Sequence, residues 1–227
     1  MSIRTAALFP PLLLIAAVAP AAERRVDLSS FDKLRVEGPF RVTLTTATSP
    51  RGRFSGDAQA LRQVEAQVTG TTLVVRRVAG GSGGDAPVTL TLAAPPIASI
   101  TVIGGAQVTA QALKGPSLAL AITGTGEVRI GQADGDQLTA TLFGPARLAI
   151  DGGRVGKARL SAKGPATIAA DALEAGDLTV MLDGPGEIGA RARYSAAVAN
   201  SGLGRVTVAG SPKCRVTGGG PVRCGAK

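Results

Sequence analysis

The chain has 227 residues with 25 Lys or Arg, 16 Asp or Glu and no histidine, which gives a formal net charge of +9. Without histidine, Ser–His and Cys–His catalytic arrangements are excluded, and two cysteines alone cannot build an ordinary zinc site. The basic residues are scattered among acids and are not interleaved with the few aromatic residues, so nucleic-acid binding is not favoured. No phosphate-binding loop is present, and no cofactor is predicted.

Residues 1–22 are predicted to be a signal peptide. Arg4 precedes an apolar run from Ala6 to Val18, and the small residues Ala19-Pro20-Ala21 suit signal-peptidase cleavage. The run is short of the roughly 20 residues that cross a bilayer, which disfavours the alternative of an uncleaved anchor. Residues 23–227 are therefore expected to be exported, to form one domain and to have no transmembrane segment after cleavage.

Residues 23–100 are predicted to form irregular N-terminal coils made of strands. The segment from Phe31 to Leu44 contains a Gly38-Pro39 turn between two alternating runs, and Asp57 could cap a short helix. The Gly-rich stretch 79–85 separates strands of the same style, so it is predicted to be a loop within the domain and not a linker between domains.

Residues 101–210 repeat every 20 residues, and this period indicates a solenoid. Each repeat holds two short runs with apolar residues at alternate positions, which is typical of strands with one buried face. Two strands and two bends in 20 residues make one coil of a β-helix, and each coil buries its apolar face against its neighbours. The fold class is therefore predicted to be all-β.

Glycines mark the corners of these coils. They are predicted to serve as structural turns at positions where the chain bends and stacked coils leave little room for side chains. In Asp183-Gly184-Pro185-Gly186 the proline and the following glycine predict a type II turn. The turn glycines are Gly104, Gly124, Gly144, Gly164, Gly184 and Gly202, the last of which arrives two residues early.

Charged residues 20 positions apart provide an independent test of the register. If coils stack directly, these residues lie about 4.8 Å apart, where opposite charges are favourable and like charges are not. Seven such pairs are opposite in sign and one is alike. The pairs are Lys114–Asp134, Asp134–Arg154, Arg154–Glu174, Glu127–Arg147, Lys157–Asp177, Lys163–Asp183, Asp171–Arg191 and the like-charged Asp151–Asp171.

Residues 211–227 are predicted to form a hairpin cap closed by a disulfide. Cys214-Arg-Val mirrors Val-Arg-Cys224 across a glycine-rich turn, which would place the two thiols opposite each other. Disulfides persist in exported proteins, so a structural bridge is expected. A redox-active pair is the alternative, but the Cys-x-x-Cys spacing is absent.

These features together resemble the head GIN domain family of putative autotransporter adhesins, bacterial proteins of undetermined function. The residues that carry the resemblance include Val36-Glu37-Gly38-Pro39-Phe40, Ser55-Gly56-Asp57, Pro95-Pro96-Ile97 and Val222-Arg223-Cys224. The resemblance implies a right-handed parallel β-helix, a location in the periplasm or on the outer surface of a Gram-negative bacterium, and a role in adhesion. Three of the five regular turns carry Gly-Pro where the family usually has Gly-Ser.

Three groups of residues are candidates for function. Asp151 and Asp171 would be stacked carboxylates able to share a proton, bind a cation or act on sugars, or they could be solvated corner residues. Arg191, Arg193 and Tyr194 form a basic and aromatic group that could touch an anionic glycan, or simply a solvent-facing corner. The hydroxyl side chains of Thr139, Thr141, Ser161 and Thr179 could form a flat exposed face.

The sequence favours a non-enzymatic envelope protein that adheres to a glycan or another protein, with self-association as a further option. One rival is a polysaccharide lyase or hydrolase that uses Asp151 and Asp171. Another is a periplasmic signalling or assembly partner. The repeat and the missing histidine favour the first hypothesis, because neither points to a catalytic cluster.

Overall fold

The computed structural model describes residues 22–78 and 87–226, so most of the predicted signal peptide and the predicted 79–85 loop lie outside the described residues. The described chain is almost entirely β-structure. Its elements are β1 (Ala22–Asp27), β2 (Lys33–Glu37), β3 (Phe40–Thr46), β4 (Arg51–Gly56), α1 (Ala58–Arg62), β5 (Val64–Thr69), β6 (Thr72–Arg77), β7 (Val88–Ala94), β8 (Ser99–Ile103), β9 (Gln107–Thr123), β10 (Glu127–Phe143), β11 (Arg147–Ile150), β12 (Gly153–Lys163), β13 (Thr167–Asp183), β14 (Glu187–Asn200), β15 (Arg205–Ala209), β16 (Lys213–Thr217) and β17 (Val222–Ala226).

Parallel pairing between successive coils builds a β-solenoid of about six turns with a spacing of about 20 residues. β10 pairs with β9 from Gln107↔Glu127 to Thr123↔Phe143, and β12 and β13 continue the same ladder. Each strand therefore satisfies its backbone groups with the coils on both sides. The predicted β-helix is confirmed.

The core is a set of apolar columns that run along the solenoid. Alternate residues of each strand point inward, and neighbours in a column come from consecutive coils. Leucines share their column with alanines, so large and small side chains fill a narrow interior together. One such fully enclosed column is Leu118, Leu138, Ala158, Leu178 and Ala196.

Five of the six predicted turn glycines adopt a backbone conformation that L-residues rarely reach. Gly104, Gly124, Gly144, Gly164 and Gly184 have φ between +89° and +124°. The predicted type II turn is wrong, because the positive φ lies at Gly184 and not at Gly186. The stack decides this: a Cβ on Gly186 would lie 2.4 Å from the carbonyl oxygen of Ala166, so this glycine is needed for close approach instead.

The charge register is confirmed for six of the eight predicted pairs, whose members are ladder partners. Arg154 and Glu174 also form an ion pair, with 3.6 Å between Nε and Oε1. Asp171–Arg191 and Asp151–Asp171 are not among the ladder partners in the described strands. The coil after Gly184 is two residues shorter than the others, and the ladder shifts at Asp171 for that reason.

The N-terminal strands stack in an order that differs from their order in the chain. β2 pairs with β8 on one side and with β6 on the other, and β3 lies likewise between β9 and β7. The antiparallel strands β5, β4 and β1 then cover the far side. The predicted helix is confirmed as α1, and the Asp57 carboxylate accepts hydrogen bonds from the N–H groups of Gln59 and Ala60.

The predicted disulfide between Cys214 and Cys224 is confirmed, with 6.4 Å between the Cα atoms. The strands that carry it are arranged differently from a hairpin, because β16 pairs in parallel with β14 and β17 pairs in parallel with β15. Cys214 stacks on Ala196 and Cys224 on Val208, both in inward-facing columns. The bridge therefore spans the interior of the last coil and ties its two walls together.

A buried asparagine secures this last coil, and the sequence gave no warning of it. Asn200 occupies the column position of Leu182 and is completely enclosed. Its side-chain N–H groups donate to the carbonyls of Gly204 and Pro221, and its oxygen accepts from the N–H of Gly202. The amide thus replaces a leucine where the shortened coil needs polar contacts between adjacent turns.

We expect Gly124→Ala to destabilise the solenoid by about 2–4 kcal/mol, because positive-φ strain adds to steric overlap. Gly124 has φ of +109°, and an added Cβ would lie 2.9 Å from the carbonyl oxygen of Gly104. Gly219→Ala is the matched control, since a Cβ there would meet nothing within 4 Å. Denaturant unfolding of both variants measures the difference, and equal stabilities would contradict the packing argument.

We also expect reduction of the disulfide to loosen the last coil before the rest of the solenoid. Closing a loop of this length stabilises the folded chain by about 3 kcal/mol, and coils in a solenoid contact only their neighbours. Reducing agent should therefore raise amide exchange in β16 and β17 first and lower the melting temperature. Unchanged exchange there, or two free thiols by mass spectrometry of the untreated protein, would overturn this prediction.

Candidate functional site

A two-residue shortening creates the most unusual surface of the solenoid. Ala170 pairs with Ala190, but Glu174 pairs with Arg191 and Asp177 with Ser195, so the separation falls from 20 to 17 and settles at 18. The corner that follows Asp171 therefore bulges relative to the coil above it. This irregularity brings the outward side chains of β14 against those of β12 and β13.

Glu174 is the centre of this surface. Its Oε1 lies 3.6 Å from Nε of Arg154 and 3.8 Å from Nη1 of Arg193. Both distances are longer than a hydrogen bond, and both arginine side chains are mostly exposed. One carboxylate thus holds two guanidinium groups loosely, and neither is fully occupied.

Arg191 adds a third guanidinium to the same surface. Its Nε donates a hydrogen bond of 2.9 Å to the backbone carbonyl of Asp171, which fixes the side chain across the bulge. Within residues 22–78 and 87–226 its Nη groups have no ion-pair or hydrogen-bond partner. These groups can therefore donate to a ligand.

Tyr194 supplies an exposed aromatic surface beside the arginines. Its side chain is among the exposed large hydrophobic groups, at 59%. The guanidinium of Arg193 lies 5.2 Å from the ring centroid, a distance typical of a cation–π contact. The ring packs close to Gly176, where a Cβ would come within 3.5 Å of Cδ2, so the missing side chain makes room for it.

These residues line two adjoining depressions on the solenoid surface. One, of about 490 Å³, extends from Arg191 to Gly210 and Ser211. The other, of about 500 Å³, extends from Tyr194 to Asp134. Both include Arg154, Glu174 and Arg193, so we treat them as one continuous groove and call it the arginine groove.

The groove lies where the charge of the chain changes. No aspartate or glutamate follows Glu187, whereas seven basic residues do. These are Arg191, Arg193, Arg205, Lys213, Arg215, Arg223 and Lys227. The end of the chain therefore attracts anions over a wider area than the groove itself.

The two carboxylates proposed for catalysis are directed to other partners. Oδ2 of Asp151 lies 2.8 Å from Nε of Arg129 on the preceding coil. The carboxylate of Asp171 lies above Gly189, where it would meet an added Cβ. No group of three or more Asp, Glu, Cys or His side chains suited to a metal occurs in the described part of the chain. A catalytic role for Asp151 and Asp171 stays a hypothesis.

The predicted hydroxyl face is more mixed than its sequence pattern indicated. Thr139 and Thr179 lie in one column with Arg159 between them, and Ser161 is followed by Met181. A third depression of about 350 Å³ on this face is lined by charged as well as hydroxyl side chains. The face therefore lacks the regular hydroxyl lattice that the repeat predicted.

The sequence argument identified Arg191, Arg193 and Tyr194 but missed Arg154 and Glu174 as members of the same site. Two signals could have found them. The turn at Gly202 comes 18 residues after Gly184, which marks the coil where the register must change. The absence of acids beyond Glu187 marks the end that attracts anions.

Comparison with known proteins identifies the class. Residues 30–212 match the family described as "Putative auto-transporter adhesin, head GIN domain". The match covers most of the chain, so the protein belongs to this family, and the predicted resemblance is confirmed. No curated protein sequence is significantly similar to it.

Solved structures show the same fold. A putative adhesin from Bacteroides fragilis superposes with a TM-score of 0.78 at 20% identity, covering 89% of this chain and 96% of the other. A putative adhesin from Parabacteroides merdae gives 0.68 at 13% identity, covering 91% and 96%. A putative lipid binding protein from Parabacteroides distasonis gives 0.66 at 15% identity, covering 91% and 97%.

The described residues contain no helix with the length and apolar character to cross a membrane.

Proposed function

We propose that this protein is an exported, non-enzymatic adhesin that binds acidic glycans of cell envelopes in the arginine groove. The observation that carries the proposal is the composition of the groove, in which three guanidinium groups surround one carboxylate beside an exposed tyrosine. Membership in an adhesin family supports binding to a surface molecule. The groove supplies the chemistry that selects this ligand.

Each group in the groove suits a different part of an acidic sugar. Guanidinium forks bind carboxylates through paired, charge-assisted hydrogen bonds, and Arg191 has its Nη groups available for this. The exposed ring of Tyr194 offers an apolar face to the C–H groups of a sugar, while its hydroxyl can bond to the sugar's own hydroxyls. Glu174 keeps Arg154 and Arg193 apart, so a chain of uronate units can lie between them.

Export is part of the proposal and rests on two features. The disulfide across the last coil suits an oxidising compartment, and residues 1–22 have the composition of a signal peptide. The protein would then function in the periplasm or on the outer surface of a Gram-negative cell. A cell-wall or surface polymer that carries carboxylates is accessible from either location.

A non-enzymatic role agrees with the placement of the carboxylates. Asp151 is ion-paired with Arg129, and Glu174 lies between two arginines. A lyase or hydrolase would need a carboxylate poised to exchange a proton with the sugar, which these ion pairs oppose by favouring the charged form. We therefore expect polygalacturonate and alginate to be bound without being degraded.

We expect Arg193→Ala to weaken binding of polygalacturonate by about tenfold, because one charge-assisted contact contributes about 1–2 kcal/mol. Tyr194→Ala should weaken it as well, and added salt should weaken the wild-type complex. Calorimetric titration with polygalacturonate, alginate and neutral dextran measures these differences.

Arg76→Ala is the matched control, since Arg76 is similarly exposed but pairs with Glu65 far from the groove. Equal affinities of the Arg193 and Arg76 variants would show that binding reflects net charge alone and would overturn the site. Release of unsaturated or reducing sugar ends, lost in Asp171→Asn, would instead establish the enzymatic alternative.

A further inference from the structure

We propose that the C-terminal end of the solenoid binds an extended segment of a partner protein in which acidic and apolar residues alternate. The segment would add a strand to the last coil. This surface is separate from the arginine groove, and we call it the terminal edge, formed by β16 and β17.

The terminal edge is an unfinished coil. Among the described residues, β16 pairs only with β14 and β17 only with β15, so the opposite edge of each strand carries unpaired backbone groups. The inward-facing side chain of Val216 stacks on Val198, yet it is 47% exposed where Val198 is 2% exposed. In every earlier coil the next coil covers this position. A further strand would do the same for Val216.

The disulfide prepares this edge for binding. It joins β16 to β17 through inward-facing positions and so keeps the two walls of the last coil at the separation that the column requires. A partner strand then meets a preformed edge and loses less free energy to ordering the site. Addition of a strand to an exposed sheet edge is a common mode of peptide recognition.

Charge defines the partner. Lys213, Arg215 and Arg223 alternate with the inward-facing residues of the terminal edge. Inside the solenoid, neighbours in a column carry opposite charges, as in Asp134, Arg154 and Glu174. The same rule favours aspartate or glutamate over each of these cations and an apolar residue over Val216.

A second copy of the chain does not fit this requirement. Two terminal edges face to face would bring cations against cations. The opposite end of the solenoid offers β1, which carries Arg24 and Arg25 as well as Glu23 and Asp27 and so has no acidic excess. The charges therefore favour a different protein over self-association. A phospholipid surface would satisfy the cations but not the unpaired backbone groups.

Fluorescence anisotropy with synthetic peptides on the oxidised full chain tests the proposal. The probes are an octapeptide that alternates valine and glutamate, a permuted peptide that groups the same residues into two blocks, and an octapeptide that alternates valine and lysine. The alternating acidic peptide should bind roughly tenfold or more tightly than either control. Its binding should slow amide exchange in β16 and β17.

Variants locate the site. Arg215→Glu combined with Arg223→Glu should lower affinity for the acidic peptide by roughly tenfold or more, whereas Arg53→Glu combined with Arg76→Glu changes net charge equally and should leave it nearly unchanged. Circular dichroism checks that both proteins fold. Arg193→Ala, which tests the arginine groove, should leave peptide binding intact, so the two proposals fail independently.

Three results would overturn the proposal. Equal binding of the alternating and permuted peptides would show a general charge effect without strand pairing. Binding to phosphatidylglycerol vesicles but to no peptide would assign the terminal edge to a membrane surface. Absence of binding to every probe would show that the cations only protect the edge from aggregation, a known use of charge on exposed strands.

Discussion

The backbone ladder between successive coils is the interaction on which the rest of the structure depends. Each strand of the regular region bonds to the coil below and the coil above, so identical positions of consecutive repeats lie about one strand spacing apart. This spacing leaves no room for side chains at several corners. Glycine at positions such as Gly124 is the consequence of the ladder and not an independent choice.

Because the ladder fixes the register, a change in coil length has a local and visible effect. Removing two residues after Gly184 leaves the core columns intact, since Leu178 still stacks on Ala196. The mismatch is absorbed at the corner between Asp171 and Asp177, which is where the arginine groove lies. A regular scaffold thereby carries one irregular surface, and that surface is the best candidate for function.

How much the sequence could predict follows from this division. The period, the inward columns and six of the eight charge pairs depend on repetition, which is visible in one sequence. The turn type at Gly184 was wrong, because local turn preferences of Pro185 and Gly186 yield to contacts with the coil below. The loose ion pairs around Glu174 could not be predicted either, since they arise from a register change whose position along the coil the spacing of the glycines leaves open.

The C-terminal end combines the features that distinguish this chain from a plain repeat. Asn200 replaces a leucine of the core, the disulfide spans the interior, and every charged residue beyond Glu187 is basic. The disulfide and Asn200 hold the last coil in place without a following coil to cover it. The basic side chains then decide what approaches that end and the neighbouring groove.

Distances along one column test the stacking most directly. Spin labels at Gln107 and Glu187, four coils apart in the same outward column, should lie about 19 Å apart, and labels at Gln107 and Arg205 about 24 Å apart, if each coil adds about 4.8 Å. Pulsed electron resonance measures both separations. Distances that do not increase by one strand spacing per coil, or that exceed 40 Å ~twofold beyond this rise, would contradict the account.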